Sequence, residues 1–224
     1  MDFEPFYLTI KLALVTTMFL FLIGIPLAYW LAFSKAKGKV IIEALVGLPL
    51  VLPPSVLGFY LLLAFSPENW FGSFLDQYFD VRLVFSFPGL VIASVIYSLP
   101  FMVQPLQSGF VMNPKNLIET SMLLGKSKLT TLTRVLLPNM KNALITACIL
   151  AFAHTMGEFG VVLMVGGNIP GETRVISLAI YNEVEAMNYA QANLYAGILL
   201  LFSFLVLIGV YLLNHRMLKV NYIG

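Results

Sequence analysis

Residues 119–138 read ETSMLLGKSKLTTLTRVLLP, and this stretch separates two strongly apolar regions of the chain. Just before it, Asn113 is predicted to cap a short helix whose first residue is Pro114. Gly125 is predicted to end that helix after about Leu124, because glycine adopts the left-handed conformation common at helix ends. The local signals therefore predict one short helix before Gly125 and leave room for another after it.

A second short helix is predicted to start at Ser127, whose hydroxyl can cap it, and to stop at Leu137 and Pro138. The acidic side chain of Glu119 is outnumbered by the cations in or beside the two helices. A cationic helical pair between two membrane spans predicts a cytoplasmic docking element, here named the cationic loop (residues 113–138). The cations are Lys115, Lys126, Lys128, Arg134 and Lys141.

The composition is that of an integral membrane protein. Of the 224 residues, 59% are hydrophobic and 11% are charged, and the mean hydropathy is +0.90. Soluble domains average about 25% charged residues, so a globular protein with a large core is excluded. The length predicts one transmembrane domain over residues 1–224. The single cysteine, Cys148, cannot form an intrachain disulfide.

Apolar segments predict an all-α membrane domain with about five transmembrane helices. At ~1.5 Å per residue, each segment is long enough to cross a hydrocarbon core of ~30 Å. Residues 175–187 are too short to cross and are predicted to form an interfacial or re-entrant helix. Residues 66–86 are predicted to be a loop with aromatic side chains suited to the membrane interface. The predicted spans are residues 7–33, 40–65, 87–112, 139–165 and 193–213.

The lysines and arginines predict the orientation of these spans. With five spans, the cationic loop shares one side of the membrane with the lysines that follow the first span and with Arg216 and Lys219 after the last. Because cytoplasmic loops carry an excess of cations, the N-terminus is predicted outside and the C-terminus in the cytoplasm. A sixth span over residues 175–187 would move Arg216 and Lys219 outside, so it is rejected. The lysines after the first span are Lys35, Lys37 and Lys39.

Two features inside the predicted spans are candidates for function. Pro49, Pro53 and Pro54 break the second span, which is read either as a plain kink or as part of a pathway. His154 and Glu158 are four residues apart and are predicted to share a helix face. They could form a proton relay, or Glu158 could satisfy backbone donors at a helix break; two histidines in the whole chain make a metal site a poor alternative.

The position of Glu158 favours a structural or gating role over proton coupling. Glu158 is twenty residues from Pro138, or about 30 Å of helix, which predicts a place near the outer end of the fourth span. The segment NIPGETR (residues 168–174) is predicted to be a turn because of its Pro-Gly pair. We find no constellation typical of an active site and no complete phosphate-binding motif in the sequence, which predicts a chain that is not itself an enzyme.

The cationic loop resembles the EAA loop of ABC importer permeases. In that family Glu-Ala-Ala is followed by three residues, a glycine, a longer gap and Leu-Pro; here Thr120 and Ser121 replace the two alanines. The family's loop forms coupling helices that sit in a cleft of an ATPase subunit. The resemblance therefore implies that contact with an ATPase is made by Glu119, Thr120, Ser121, Gly125, Lys128, Leu137 and Pro138.

Three more segments resemble the molybdate permease subunits of this family, to which sulfate and tungstate permeases are close relatives. They are LPLVLPPSVLG (residues 48–58), GEFG (residues 157–160) and NIPGETR. The resemblance implies a homodimer in a bacterial or archaeal cytoplasmic membrane, with two cytoplasmic ATPase subunits and an external oxyanion-binding protein. The ATPase subunits would bind ATP and Mg²⁺, and this chain is expected to need no cofactor of its own and no nucleic acid.

The implied mechanism is inward transport of molybdate by alternating access. Alternatives are a sulfate or tungstate permease of the same architecture, or a proton-coupled secondary transporter that uses His154 and Glu158. The expected pathway or gate residues are Pro53, Pro54, Ser55, Gly157, Glu158 and Gly160. The residues expected to contact an external partner are Asn168, Pro170, Gly171, Glu172 and Arg174.

Overall fold

The computed structural model describes residues 2–220, of which residue 115, residue 210 and residues 213–220 are described by their backbone alone. Within these residues the fold is entirely helical. Three unbroken helices are long and apolar enough to cross a membrane: α1 (Glu4–Phe33), α5 (Phe87–Met112) and α12 (Tyr189–Val220). The bounds of α5 coincide with the predicted third span. The last predicted span, residues 193–213, lies within α12, which continues to Val220.

Helices α1 and α5 run parallel and form the centre of the fold. Near their first turns, Leu12 shares a buried cluster with Leu90. At the middle, a Cβ atom on Gly24 would lie 2.7 Å from Cγ of Met102, so the glycine lets the two helices approach closely. Near their last turns, the rings of Phe33 and Phe110 lie 6.1 Å apart between centroids. Both helices therefore begin at one end of the molecule and finish at the other.

The second predicted span is broken by its prolines. It consists of α2 (Lys39–Gly47), a 3-10 turn (Leu48–Leu50) and α3 (Pro54–Phe65), with a bend of 111° between the two parts. Pro49 lies in the first turn of the 3-10 helix, and Pro54 begins α3. A proline at the start of a helix needs no backbone donor, so each proline fixes a new segment rather than kinking a continuous one.

The fourth predicted span is also interrupted. Helix α9 (Lys141–Met156) ends before residues 157–159, which are not helical, and α10 (Gly160–Gly166) follows them. Helix α11 (Ile176–Glu185) has ten residues and is short, as the sequence predicted for this region. The described chain holds up to five apolar spans if two bent pairs each count as one, namely Lys39–Leu50 with Pro54–Phe65 and Lys128–Asn139 with Lys141–Met156.

The cationic loop forms a helical pair, with two corrections. Helix α6 (Lys115–Leu123) is followed by Gly125 with φ of +66°, and the Ser127 hydroxyl accepts a hydrogen bond of 3.2 Å from the Thr130 amide at the start of α7 (Lys128–Thr131). The predicted cap at Asn113 is wrong. Its side-chain amide donates to the Gly109 carbonyl at 3.2 Å and so completes the end of α5.

The predicted helix stop at Leu137 and Pro138 is also wrong. A π-helical turn (Leu132–Leu136) leads into α8 (Leu137–Asn139), and the chain bends by 81° only at Met140. In the π turn the Leu137 amide bonds to the Leu132 carbonyl, five residues back. Pro138 follows this wider turn at the start of α8. Its missing N–H therefore removes no hydrogen bond from a regular α-helix.

The predicted loop at residues 66–86 contains a helix, α4 (Trp70–Phe79). Asp80 ends it in the left-handed conformation with φ of 52°. Pattern reasoning missed this helix because ten residues with five aromatic side chains carry no clear helical cap. The aromatic residues are nevertheless largely exposed, as an interfacial position requires.

The two ends of the molecule carry different elements. At the amino-terminal end, the Tyr195 hydroxyl of α12 donates to the Asp2 carbonyl at 3.1 Å, and the Phe85 amide donates to the Val165 carbonyl at 2.9 Å. Gly171 lies beside Glu4 at the same end. At the opposite end, named the cationic end, the cationic loop follows α5 and Lys35 follows α1. The cationic loop and Lys35 thus share one end of the fold, whereas the side chains of Arg216 and Lys219 lie outside the described residues.

Candidate functional site

A pocket of about 580 Å³ lies where α3 begins, beside α5 and the break between α9 and α10. We name it the central pocket. Tyr97 lies on its wall ten residues into α5, or about 15 Å from the start of that helix, so the pocket is well inside the span. Five of the predicted pathway residues line it; Pro53 instead caps α3 beside it. The five are Pro54, Ser55, Gly157, Glu158 and Gly160.

Glu158 is 4% exposed and lies in the non-helical break. The Ser94 hydroxyl of α5 donates a hydrogen bond of 2.8 Å to Oε2, while Oε1 has no partner among the described atoms. The Ser177 hydroxyl of α11 donates to the backbone carbonyl of Glu158 at 2.6 Å. The prediction that this carboxyl group satisfies backbone donors is therefore wrong: its partner is a serine on another helix.

The prediction that Glu158 lies near the outer end of the fourth span rested on a helix that the structure does not show. Counting twenty residues from Pro138 assumed one straight helix, but the chain bends by 81° at Met140 and breaks again after Met156. Ser94, the partner of Glu158, lies seven residues inside α5. The carboxyl group consequently lies about 10 Å below the start of α5.

His154 and Glu158 do not share a helix face. Helix α9 ends at Met156, so the two residues belong to different segments, although both line the central pocket. The Nδ1 atom of His154 lies 2.9 Å from the Ser98 hydroxyl, and the ring stacks on Phe101 with centroids 3.9 Å apart. Among the described residues no hydrogen bond joins His154 to Glu158, which removes the direct link that a relay between them requires.

Three polar residues beside the pocket were missed by the sequence analysis. Ser94 and Ser98 are one turn apart on α5 and carry the contacts of Glu158 and His154. The Thr155 hydroxyl lies 3.0 Å from that of Ser98 and donates to the Ala151 carbonyl at 2.9 Å. Two serines spaced four apart in an apolar helix were a usable signal, because that spacing places both on one face.

Glycine allows the two walls of the pocket to meet. A Cβ atom on Gly160 would lie 2.7 Å from Cβ of Pro54, and one on Gly58 would lie 2.9 Å from Cβ of Met164. Both approaches are closer than carbon atoms tolerate, so α3 and α10 pack almost backbone to backbone. A Cβ on Gly157, by contrast, would meet nothing closer than the His154 carbonyl at 3.8 Å.

The loop of residues 168–174 is held by its own side chains. The Arg174 Nε atom donates to Oδ1 of Asn168 at 3.0 Å, and Asn168 in turn donates to Asn182 of α11 at 2.8 Å. The buried Thr173 hydroxyl donates to the Gly166 carbonyl at 2.6 Å and accepts from the Ile169 amide at 2.8 Å. The exposed tip of the loop consists of Pro170, Gly171 and Glu172.

The cationic loop presents both apolar and polar side chains at its surface. The buried hydroxyls of Ser121 and Thr131 lie 2.7 Å apart and join α6 to α7. Leu123 is 88% exposed, and Glu119 and Thr120 are also exposed. Gly125, Lys128 and Pro138 are exposed as well, and Leu137 is half-buried. Other large apolar side chains exposed here are Met122, Leu124 and Leu129.

Comparison with known proteins gives the family. Residues 24–219 match the family described as binding-protein-dependent transport system inner membrane component. The molybdenum transport system permease protein ModB of Azotobacter vinelandii is 49% identical over 211 residues, which cover 94% of this chain and 93% of the relative. The sulfate transport system permease protein CysT of Salmonella typhimurium is 32% identical over 93% of this chain and 75% of its own length.

Solved structures with the same fold are ABC transporters. The inward-facing MetNI methionine ABC transporter aligns over 95% of this chain and 94% of its own, with a TM-score of 0.73 and 17% identity. A bacterial ABC transporter involved in alginate import aligns over 95% of this chain and 78% of its own, with a TM-score of 0.78 and 16% identity. The chain belongs to the family of binding-protein-dependent transport system inner membrane components and is a multi-pass permease of the ABC transporter type.

Proposed function

We propose that this chain is the permease subunit of an ATP-driven importer and that its substrate is molybdate. The observation that carries the proposal is the 49% identity with the molybdenum permease of Azotobacter vinelandii over nearly the full length of both chains. The 32% identity with a sulfate permease supports sulfate as the second candidate. Tungstate is a third, because it is a tetrahedral dianion like the other two.

The irregular backbone beside the central pocket supports a homodimer whose two copies enclose the pathway. Residues 51–53 are not helical, and Val51, three residues before the pocket-lining Pro54, is 82% exposed. Irregular backbone at membrane depth is stable only where protein or a water-filled cavity covers it, because lipid offers no hydrogen bonds. A second copy placed against this face would cover residues 51–53 and turn two open pockets into one enclosed path.

The lining of the central pocket suits passage of an anion rather than tight binding. Among the side chains that the structure describes, no lysine or arginine lines it. Ser55 and Tyr97 supply hydroxyl groups, which can donate hydrogen bonds to an oxyanion without holding it by charge. We therefore assign the substrate affinity to an external binding protein and the gate to Pro53, Pro54, Gly157, Glu158 and Gly160.

The cationic loop is proposed to dock in a cleft of a cytoplasmic ATPase subunit, which also binds ATP and Mg²⁺. Exposed leucines such as Leu123 form an apolar surface of the kind that protein partners cover. The acidic Glu119 and the cationic Lys128 stand beside this surface. Leu136 of the π turn is 1% exposed and packs in the main core cluster with Phe110, which gives the loop a firm connection to the spans.

At the amino-terminal end, we propose that the tip of the loop of residues 168–174 contacts the external binding protein. Pro170, Gly171 and Glu172 are exposed, and among the described residues the Glu172 side chain makes no hydrogen bond. Asn168 and Arg174 are engaged with each other, so their part is to shape the tip. We therefore assign the contact with the binding protein to the tip, and the shape of the loop to Asn168 and Arg174.

Alternating access follows from these assignments. When ATP binding closes the ATPase pair, the two cationic loops are drawn together and α9 moves with them. Helix α9 ends at the break that carries Glu158, so this movement reaches the wall of the central pocket. The permease pair then opens toward the docked binding protein, and hydrolysis resets it toward the cytoplasm.

The experiment is uptake of labelled oxyanion into proteoliposomes that contain this chain, the ATPase it co-purifies with and the external binding protein. Molybdate, tungstate and sulfate are compared with and without ATP and with a protonophore. We expect ATP-dependent molybdate uptake that the protonophore leaves unchanged. Preferential sulfate uptake would make sulfate the substrate and leave the proposed architecture unchanged. Uptake that follows a proton gradient without ATP would overturn the proposal.

A further inference from the structure

One face of helix α4 is left uncovered by the described residues. It begins five residues after Phe65, the end of α3, and its last residue lies eight before Phe87, the start of α5. Because both neighbouring helices reach the amino-terminal end of the fold, these short links hold α4 at that end. Trp70 is 79% exposed and Tyr78 is 74% exposed, although both are large aromatic side chains.

The aromatic residues of α4 form a stripe along its length. Trp70, Phe74 and Tyr78 are spaced four residues apart, and this spacing places all three on one face of a helix. The rings of Phe74 and Tyr78 lie 5.0 Å apart between centroids, and the Trp70 ring lies 6.4 Å from that of Phe71. An exposed run of three such rings on a soluble surface would be costly, which indicates an environment other than water.

A second face of α4 packs on the protein. A Cβ atom on Gly72 would lie 2.2 Å from the Ser66 carbonyl oxygen, so this glycine brings α4 directly onto the end of α3. Leu75 packs on the buried cluster of Phe65 and Leu83. These contacts fix the rotation of α4 about its own axis and hence the direction in which the aromatic stripe points.

The third face of α4 is polar. The Gln77 side-chain amide donates to the Ser73 hydroxyl at 3.0 Å, and Arg82 forms an ion pair of 3.1 Å with Asp76. At 3.6 residues per turn, Ser73, Asp76 and Gln77 fall on an arc of about 100° between the packing face of Gly72 and the aromatic stripe. Around α4 an aromatic arc, a packing arc and a polar arc therefore follow one another.

We infer that α4 lies in the plane of the membrane interface, with its aromatic stripe among the lipid headgroups and its polar arc toward water. Tryptophan and tyrosine favour this zone because their rings are apolar and their polar atoms reach water. Helices of this kind bury their apolar face about 5–10 Å into the headgroup and acyl boundary. In this position α4 fixes the level of α3, whose first turn lines the central pocket, relative to the bilayer.

Tryptophan fluorescence tests this inference directly. The chain has two tryptophans, so Trp30→Phe leaves Trp70 as the reporter. The purified variant is reconstituted in phosphatidylcholine vesicles whose acyl chains carry bromine near the headgroup or near the chain end. We expect strong quenching by the shallow bromine, weaker quenching by the deep one and little quenching by aqueous iodide. Strong iodide quenching without bromine quenching would overturn the inference.

Matched variants separate the aromatic stripe from the polar arc. Added to Trp30→Phe, the pair Phe74→Ser and Tyr78→Ser is expected to reduce shallow-bromine quenching of Trp70, whereas Gln77→Ala is expected to leave it unchanged. If Trp30→Phe does not fold, the difference in quenching between the natural chain and Trp70→Phe gives the same readout. Trp70 emission that responds to an added external binding protein and not to lipid bromine would assign the stripe to protein docking and refute lipid contact.

Discussion

Replacing Gly160 by alanine tests the packing of the two helices that form the central pocket. A Cβ at this position would lie 2.7 Å from Cβ of Pro54, whereas carbon atoms in contact prefer about 3.5–4.0 Å. Pro54 begins α3 and its ring is rigid, so it cannot swing away as the end of a long side chain does. The two helices must separate by about 1 Å, and such overpacking typically costs about 1–3 kcal/mol.

Gly157 provides the matched control three residues away in the same GEFG segment. A Cβ there would find no atom closer than 3.8 Å, and its φ of −89° suits any residue. Gly157→Ala is therefore expected to leave stability unchanged or to raise it by about 0.4–1 kcal/mol, because alanine has less freedom to lose on folding. Each variant adds one methyl group, and the two sites are three residues apart. The structure predicts a loss of stability for Gly160→Ala and no loss for Gly157→Ala.

The assay is thermal unfolding of the purified permease in detergent, followed by uptake in proteoliposomes. We expect Gly160→Ala to lower the midpoint by several degrees and to reduce ATP-dependent uptake, and Gly157→Ala to leave the midpoint unchanged or to raise it. Equal midpoints for the two variants would refute the close approach of α3 and α10. A damaging Gly157→Ala beside a harmless Gly160→Ala would refute the positions assigned to both glycines.

Further predictions concern the cationic loop, the buried carboxyl group and the turn after α10. Glu119→Lys is expected to abolish co-purification of the ATPase, and retained assembly would contradict the docking role. Ser94→Ala removes the hydrogen bond to Glu158 and is expected to lower the free energy of unfolding by about 1–3 kcal/mol in denaturation; an unchanged value would mean that the bond is not made. Thr173→Val is expected to cost a similar amount, whereas the exposed Glu172→Ala should stay within about 0.5 kcal/mol; equal effects would argue against the buried turn.

The sequence was informative where local chemistry decides the structure. Proline and glycine positions predicted the break before Pro54 and the left-handed turn at Gly125, because these residues restrict or release the backbone wherever they occur. The bounds of α5 could be predicted because a mostly apolar segment without charged residues ends at Ser86 on one side and Asn113 on the other. Pro100 and Pro105 lie inside α5 without ending it.

The sequence was uninformative where the partner of a residue lies far along the chain. The contact between Ser94 and Glu158 spans 64 residues and depends on how α5 meets the break after α9. The side chain of Asn113 can cap either of two helices. In the structure it bonds to the end of α5 and not to the start of α6. Helix α4 was missed because no side chain caps its start, and its packing on the end of α3 through Gly72 is a tertiary contact.

Cross-linking at Ser55 tests most directly the central claim that two copies of this chain enclose the pathway at the central pocket. Ser55→Cys is made in a Cys148→Ala background, which has no other cysteine. The reconstituted importer is treated with a short reducible reagent that joins two thiols. We expect a covalent dimer of this chain and a loss of ATP-dependent molybdate uptake that reductant restores. A chain that stays monomeric under the reagent, or a cross-linked dimer that still transports, would contradict the account.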